Sequence, residues 1–162
     1  MPVTTWGQEA PELKVDSWVH LPQGMETGPT LKKDWAGKVV YLYFFQSWCP
    51  GCHSSGLPAL RSAIDTYGDN DQVRLAAVQT VFEGFYTNTE DAAIEIVERY
   101  QLESIPVGQS GTRESASKVM IDFRTRGTPW TVIIAPDGEI VYSDFHISPD
   151  KARHLIDGLL EQ

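Results

Sequence analysis

An α/β fold, with a central mixed β-sheet flanked by helices, is predicted by three features of the sequence. Continuous apolar runs alternate with helical patterns, the last two runs are separated by a tight turn, and no linker or repeat divides the chain. Strands joined by helices form parallel sheets, whereas a tight turn joins antiparallel strands. We therefore predict a mixed sheet in a single domain over residues 1–162, of which 41% are apolar, enough for one buried core.

The segment before residue 39 has weak periodicity. Leu13, Val15 and Trp18-Val19 suggest a short strand, and the turn-rich stretch "LPQGMETGP" follows. The sequence thus predicts an N-terminal β extension ahead of the main α/β part.

The run from Val39 to Phe45 consists of β-branched and aromatic residues, which is typical of a strand buried on both faces. Apolar residues at helical spacing then predict a helix that ends near Tyr67. They are Leu57, Leu60, Ile64 and Tyr67. Both cysteines, Cys49 and Cys52, lie between the strand and this helix.

A second apolar strand is predicted from Val73 to Val81. Thr89 is a suitable N-cap, and Glu90 and Asp91 give the following helix an acidic first turn. This helix is expected to run through Tyr100, so the series so far is strand, helix, strand, helix.

The last third of the chain predicts a short helix, a hairpin and a terminal helix. Val119 to Phe123 forms the short helix, and strands at Trp130 to Ala135 and Glu139 to Tyr142 flank the turn "PDG". Ser148 as N-cap and Pro149 at the first position begin the terminal helix. Its apolar face consists of Ala152, Leu155, Ile156 and Leu159.

Composition and charge exclude several classes of function. Acidic residues outnumber basic ones by 22 to 13, and no basic run could follow a phosphate backbone, so we expect no nucleic-acid partner. The longest apolar run is too short to span a bilayer. The N-terminus "MPVTTWGQEAPEL" lacks the basic and apolar regions of a signal peptide, which predicts that the chain as written stays in the cytoplasm.

The stretch "WCPGCH" holds both cysteines of the chain. Cys-x-x-Cys is the spacing of a redox dithiol, Cys-x-x-Cys-His is also the attachment sequence of a c-type haem, and a metal site is a third possibility. A bridge over so short a span closes no useful loop, so structural stapling does not explain the pair.

The chain resembles thioredoxin-like proteins of the TlpA and ResA type, within the wider redoxin group. The resemblance is carried by "GQEAPEL", "GKVVYLYFFQSWCPGC" and "RGTPWTVIIAPDGEIVY", and covers most of the chain. It implies a thioredoxin fold with an insertion between the second main strand and the "GTPW" loop. It also implies a thiol-disulfide oxidoreductase without a cofactor, with the reductase direction favoured.

The resemblance extends to partners and location. It implies protein thiol or disulfide substrates, a redox donor protein, and a monomer. Relatives of this type are mostly exported or membrane-tethered, so a periplasmic or other extracytoplasmic location stays open beside the cytoplasmic one.

The chemistry of such a dithiol assigns different roles to the two cysteines. Only the thiolate is nucleophilic, and Cys49, at a helix N-terminus, meets unpaired N–H groups and the positive end of the helix dipole, which lower its pKa. Cys49 is therefore the predicted nucleophile. Cys52, one turn further on, is the predicted resolving cysteine that attacks the mixed disulfide.

Five residues are expected to contact the substrate. Thr128 and Pro129 match the cis-proline loop of the family, which lies beside the dithiol, and the others surround the sulfurs. The five are Trp48, Pro50, Gly51, Thr128 and Pro129. His53 could add positive charge that favours the thiolate.

The sequence departs from the family pattern at two positions. Thioredoxin has a buried acid six residues before the first cysteine, where this chain has Tyr43. ResA-like proteins supply an acid from the loop after the next strand, so Glu83 is the candidate base for Cys52. Pro58 lies six residues after Cys52 instead of five, which predicts a helix that is bent or one residue longer.

Four alternatives remain. The apolar strands argue against a c-type haem domain. A copper-binding module similar to the Sco type would use both cysteines with His53 or His146, although that type has a longer loop between its cysteines. A peroxiredoxin would need a Thr at the position of Gln46. A non-catalytic module would not need both cysteines, and overall we predict no resident metal.

Overall fold

The computed structural model describes residues 7–162. Residues 1–6 lie outside this range. They belong to the predicted domain and to the N-terminal stretch that lacks the pattern of a signal peptide. The strands are β1 (Ser17–His20), β2 (Val39–Phe45), β3 (Val73–Thr80), β4 (Val107–Ser110), β5 (Trp130–Ile134) and β6 (Ile140–Asp144). The helices are α1 (Leu57–Tyr67), α2 (Glu90–Tyr100), α3 (Lys118–Phe123) and α4 (Pro149–Leu160), and a π-helical segment, Cys52–Gly56, leads into α1.

The six strands form one mixed sheet in the order β1-β4-β3-β2-β5-β6. β2 is parallel to β3, and β3 is parallel to β4, as expected for strands joined by helices. β5 and β6 form an antiparallel hairpin beside β2. The predicted fold class, a mixed sheet flanked by helices, is confirmed.

Residues of β2 alternate between the two sides of the sheet, and all seven are buried. Tyr41, Tyr43 and Phe45 belong to a core with residues of α1, α2 and α4, whereas Leu42 and Phe44 belong to a second core with α3 and the N-terminal extension. Burial on both faces explains why this strand has no polar positions.

The predicted N-terminal extension reaches both edges of the sheet. β1 pairs antiparallel with β4 at one edge. At the other edge, Gly7 and Ala10 donate backbone hydrogen bonds to Ile140 and Gly138, and Ile140 donates one to Gln8. Between these contacts the extension crosses one face of the sheet, where Leu13 is buried.

One strand was absent from the sequence prediction. β4 has only four residues, "VGQS", and a glycine and two polar side chains remove the apolar pattern of a buried strand. All four are nevertheless buried, because β4 lies between β3 and β1. In residues 7–162 no helix has the length and apolar character needed to cross a bilayer.

Candidate active site

The two cysteines form a disulfide at the C-terminal end of β2, where the chain turns into the π-helical segment and α1. Their Cα atoms are 5.3 Å apart. Cys52 is fully buried, whereas Cys49 is partly exposed. An incoming sulfur atom can therefore reach Cys49 and not Cys52.

Two hydrogen-bond donors point at the sulfur of Cys49. The backbone N–H of Cys52 lies 3.2 Å from Cys49 Sγ, and the hydroxyl of Thr128 lies 3.5 Å from the same atom. Donors at these positions stabilise a thiolate more than a thiol. The site can thus hold negative charge on Cys49 once the disulfide is opened.

The structure brings the predicted substrate-contacting residues together. The Thr128–Pro129 peptide bond is cis, and a Cβ atom added to Gly51 would lie 3.2 Å from Pro129 Cδ. Pro50 is exposed beside this contact. Trp48 is 65% exposed, so its indole projects from the protein next to the dithiol and does not fill the core.

Tyr43, at the position of the buried acid in thioredoxin, lies beneath the π-helical segment Cys52–Gly56. It is fully buried, and among the described residues its hydroxyl has no hydrogen-bond partner. Burial, with smaller contributions from Tyr41 and Tyr100, raises the pKa of Tyr43 well above its ordinary value. Tyr43 therefore stays protonated near neutral pH and cannot accept the proton of Cys52.

The π-helical segment Cys52–Gly56 contains the extra residue that the position of Pro58 indicated. A π turn adds one residue to a helix, and such turns are frequent at functional sites. Gly56 closes the segment directly against Tyr43, because a Cβ atom there would overlap the Tyr43 hydroxyl and lie 2.8 Å from Pro129 Cβ.

Glu83 lies in the loop after β3, as predicted, and its side chain is exposed. Its backbone N–H donates to Gln46 Oε1 at 3.3 Å, and its carbonyl accepts from Asn88 Nδ2 at 3.0 Å. Within residues 7–162 no hydrogen bond is formed by the Glu83 carboxylate. The loop is therefore attached to the active-site segment, while the role of the carboxylate stays a prediction.

Sequence reasoning missed a set of buried amide side chains behind the dithiol, which we call the amide network. Its members are Gln46, Gln79, Asn88 and Gln109, each no more than 7% exposed. Gln79 Nε2 donates to Gln109 Oε1 at 2.8 Å, and Gln109 Nε2 donates to the carbonyl of Asn88 at 3.0 Å. The signal in the sequence is a glutamine that follows the apolar run "LAAV" within the buried strand β3.

The ring of His53 makes two hydrogen bonds that the sequence did not predict. Its Nε2 lies 2.7 Å from the Ser47 carbonyl, and its Nδ1 lies 2.6 Å from the Tyr100 hydroxyl. Both ring nitrogens are thus engaged within the protein. No cluster of three or more metal-ligating side chains occurs in the described part of the chain.

The site has a partly exposed cysteine shortly after a central strand, a buried cysteine one turn later and an adjacent cis-proline loop. Together these features define a thiol-disulfide oxidoreductase with a thioredoxin-like fold. Residues 5–159 match the Redoxin family, to which the chain therefore belongs. No curated protein sequence matches the chain significantly. The resemblance to thioredoxin-like redoxins of the TlpA and ResA type is confirmed.

Solved structures support the same fold. A thioredoxin-like superfamily protein is 29% identical, with 95% of this chain and 97% of the other covered and a TM-score of 0.81. A thiol-disulfide isomerase from Corynebacterium glutamicum is 28% identical, with 94% and 97% covered and a TM-score of 0.78. The thioredoxin domain of a thiol-disulfide oxidoreductase from Bacteroides vulgatus, 16% identical over 96% and 98% with a TM-score of 0.68, shares the fold.

Proposed function

We propose that the chain, as a monomer, reduces disulfide bonds in proteins with the dithiol of Cys49-Pro50-Gly51-Cys52. The observation that carries this proposal is the difference between the two sulfurs: Cys49 is partly exposed with two donors at Sγ, and Cys52 is buried behind it. The first sulfur is placed to react with a partner, and the second is placed to react only with the first.

The reaction has two exchange steps. The Cys49 thiolate attacks a substrate disulfide, forms a mixed disulfide and releases one substrate thiolate. Cys52 then loses its proton and attacks Cys49 Sγ, which releases the second substrate thiolate and leaves the Cys49–Cys52 disulfide. Two electrons pass to the substrate, and a redox donor protein returns them.

Substitution of each cysteine by serine tests the roles of both sulfurs. Cys52→Ser should accumulate a mixed disulfide with oxidised insulin that dithiothreitol releases, because the resolving thiol is absent. Cys49→Ser should accumulate none, because Cys52 is buried. Mass spectrometry of the non-reduced protein measures both, and a mixed disulfide that forms through Cys52 would contradict the assignment.

Glu83 is our proposed proton acceptor for Cys52. Its support is the attachment of its loop to Gln46, three residues before Cys49. Glu83→Gln should slow insulin reduction and shift the pH profile of the rate, because a carboxamide does not accept a proton. Glu90→Gln, at the exposed start of α2, is the matched control, and an unchanged profile for Glu83→Gln removes the assignment.

A further inference from the structure

Ser47, two residues before Cys49, has every polar group bound by another side chain. Its N–H and its hydroxyl both donate to Gln79 Oε1, at 2.6 and 2.7 Å. Its carbonyl oxygen accepts from His53 Nε2 at 2.7 Å. Ser47 is therefore held from two sides, by Gln79 of β3 and by His53 of the π-helical segment.

The orientation of Gln79 is fixed by these partners. The Ser47 N–H can only donate, so the carboxamide oxygen must face it. The nitrogen then faces away and donates to Gln109 Oε1 at 2.8 Å and to the Thr89 carbonyl at 3.0 Å. Gln79 is fully buried and makes all four of its possible hydrogen bonds without placing a charge near the sulfurs.

The orientation of His53 follows in the same way. A carbonyl only accepts, so Nε2 carries a proton and donates to Ser47, while Nδ1 forms the hydrogen bond with the hydroxyl of Tyr100. Tyr100 is the last residue of α2 and packs against the main core. His53 thus connects Ser47 to α2, a different helix from the one that carries the dithiol.

The next residue is held as well. The N–H of Trp48 donates to Asn88 Oδ1 at 2.8 Å, and Asn88 is 2% exposed. The backbone just before Cys49 is therefore hydrogen-bonded at the N–H and carbonyl of Ser47 and at the N–H of Trp48. The indole of Trp48 and the sulfur of Cys49 project from this fixed segment.

We propose that Gln79 and His53 are positioning residues for thiol-disulfide exchange, which hold Ser47 so that Cys49 Sγ remains against its two donors when the disulfide opens. The inference rests on the proposed role of Cys49 as nucleophile. With the disulfide closed, the covalent bond fixes the sulfur. In the reduced state only the backbone fixes it, so the effect of the two residues falls on the reduced form.

The sign of the effect follows from this difference. Without the two residues, the Cys49 thiolate spends less time against the N–H of Cys52 and the Thr128 hydroxyl. The reduced form loses stability, the disulfide form does not, and the dithiol becomes a stronger reductant. A residue with a purely structural role would lower the stability of both forms together.

The test is the thiol-disulfide equilibrium with glutathione at pH 7, measured for His53→Ala, His53→Gln and Gln79→Met. We expect His53→Ala and Gln79→Met to shift the equilibrium constant about tenfold toward the disulfide, which corresponds to about 30 mV. His53→Gln should keep an equilibrium constant close to that of the wild type, because its carboxamide can donate to the Ser47 carbonyl. His154→Ala and Gln72→Met, both exposed and remote from the dithiol, are the matched controls.

His53 is only partly buried, so His53→Ala remains decisive if Gln79→Met does not fold. An equilibrium constant within twofold of the wild type in folded His53→Ala overturns the proposal, as does an equal shift in His53→Gln and His53→Ala. Failure of the proposed function is seen separately, since the wild type would then reduce no insulin and Cys52→Ser would trap no mixed disulfide.

Discussion

At the scale of single residues, the reactivity of Cys49 depends on two donors that differ in kind. The N–H of Cys52 is part of the backbone and cannot be removed by substitution, whereas the hydroxyl of Thr128 can. Hydrogen bonds to charged groups contribute about 1.5–3 kcal/mol, although this one is long. Thr128 therefore offers a direct way to change the energy of the thiolate.

Thr128→Val removes the hydroxyl and keeps the shape of the side chain. We expect the glutathione equilibrium to shift about three- to tenfold toward the disulfide, because the reduced form loses a hydrogen bond that the oxidised form uses little. Thr66→Val, on exposed helical surface, should leave the equilibrium unchanged. A Thr128→Val protein with the wild-type equilibrium constant would show that the contact at 3.5 Å carries no energy.

Tyr43 determines part of the response of stability to alkaline pH. Its pKa is raised in the fold by burial, so the folded state keeps its proton at a pH where the unfolded state has lost it. The stabilisation is fully present below about pH 10 and decreases above it, by about 1.4 kcal/mol per pH unit for one tyrosine.

Tyr43→Phe should reduce this alkaline loss. Urea unfolding at pH 8, 10 and 11 gives the change in free energy of unfolding with pH, and the slope above pH 10 should be smaller in the variant than in the wild type. Comparing slopes removes any constant difference in stability between the two proteins. Equal slopes would show that Tyr43 does not contribute to the pH dependence.

At the scale of secondary-structure elements, the π-helical segment and β2 fit each other through Gly56. A methyl group at this position would overlap the Tyr43 hydroxyl and approach Pro129 Cβ to 2.8 Å. Both neighbours belong to buried or rigid parts of the site, so neither can move away freely.

Gly56→Ala should lower the free energy of unfolding by about 1–3 kcal/mol, as overpacking of a core does. Gly158→Ala is the matched control, because Gly158 lies in α4 and an added Cβ would have no atom within 4 Å beyond its chain neighbours and the backbone of its own helix. There the exchange should raise stability by about 0.5–1 kcal/mol through helix propensity. Urea unfolding of the two variants measures the contrast, and a Gly56→Ala protein as stable as the wild type contradicts the predicted overlap.

The elements also show what a sequence can predict. β2, β3 and the hairpin were predictable because their apolar residues follow one another along the chain, and the dithiol was predictable because its two cysteines lie within one short motif. β4 and the amide network were not. Gln79 and Gln109 are 30 residues apart, and a polar residue inside a strand indicates a partner without saying which one.

At the scale of the whole molecule, charge acts against folding. The formal charge is −9 at pH 7. The four ion pairs found within residues 7–162 each have at least one exposed partner, so they contribute little. We therefore expect repulsion among the remaining carboxylates to exceed the attraction within these pairs.

Screening of this repulsion should stabilise the protein. We expect the thermal unfolding midpoint to rise when NaCl increases from about 20 to about 200 mM, since the Debye length then falls to less than about 10 Å and repulsion between exposed charges is screened. Differential scanning calorimetry measures the midpoint, with an equal osmolality of glycerol as control. A midpoint that falls with salt would show that the surface ion pairs outweigh the repulsion.

The N-terminal extension has a consequence for how the chain reaches its fold. Residues 7–10 and β1 pair only with strands that come much later in the chain, at Gly138–Ile140 and at β4. These pairings close long loops, and such contacts form slowly. We therefore expect the part of the domain that leaves the ribosome first to be ordered last, so that the sheet edges at β4 and β6 stay open to other chains until the extension pairs with them.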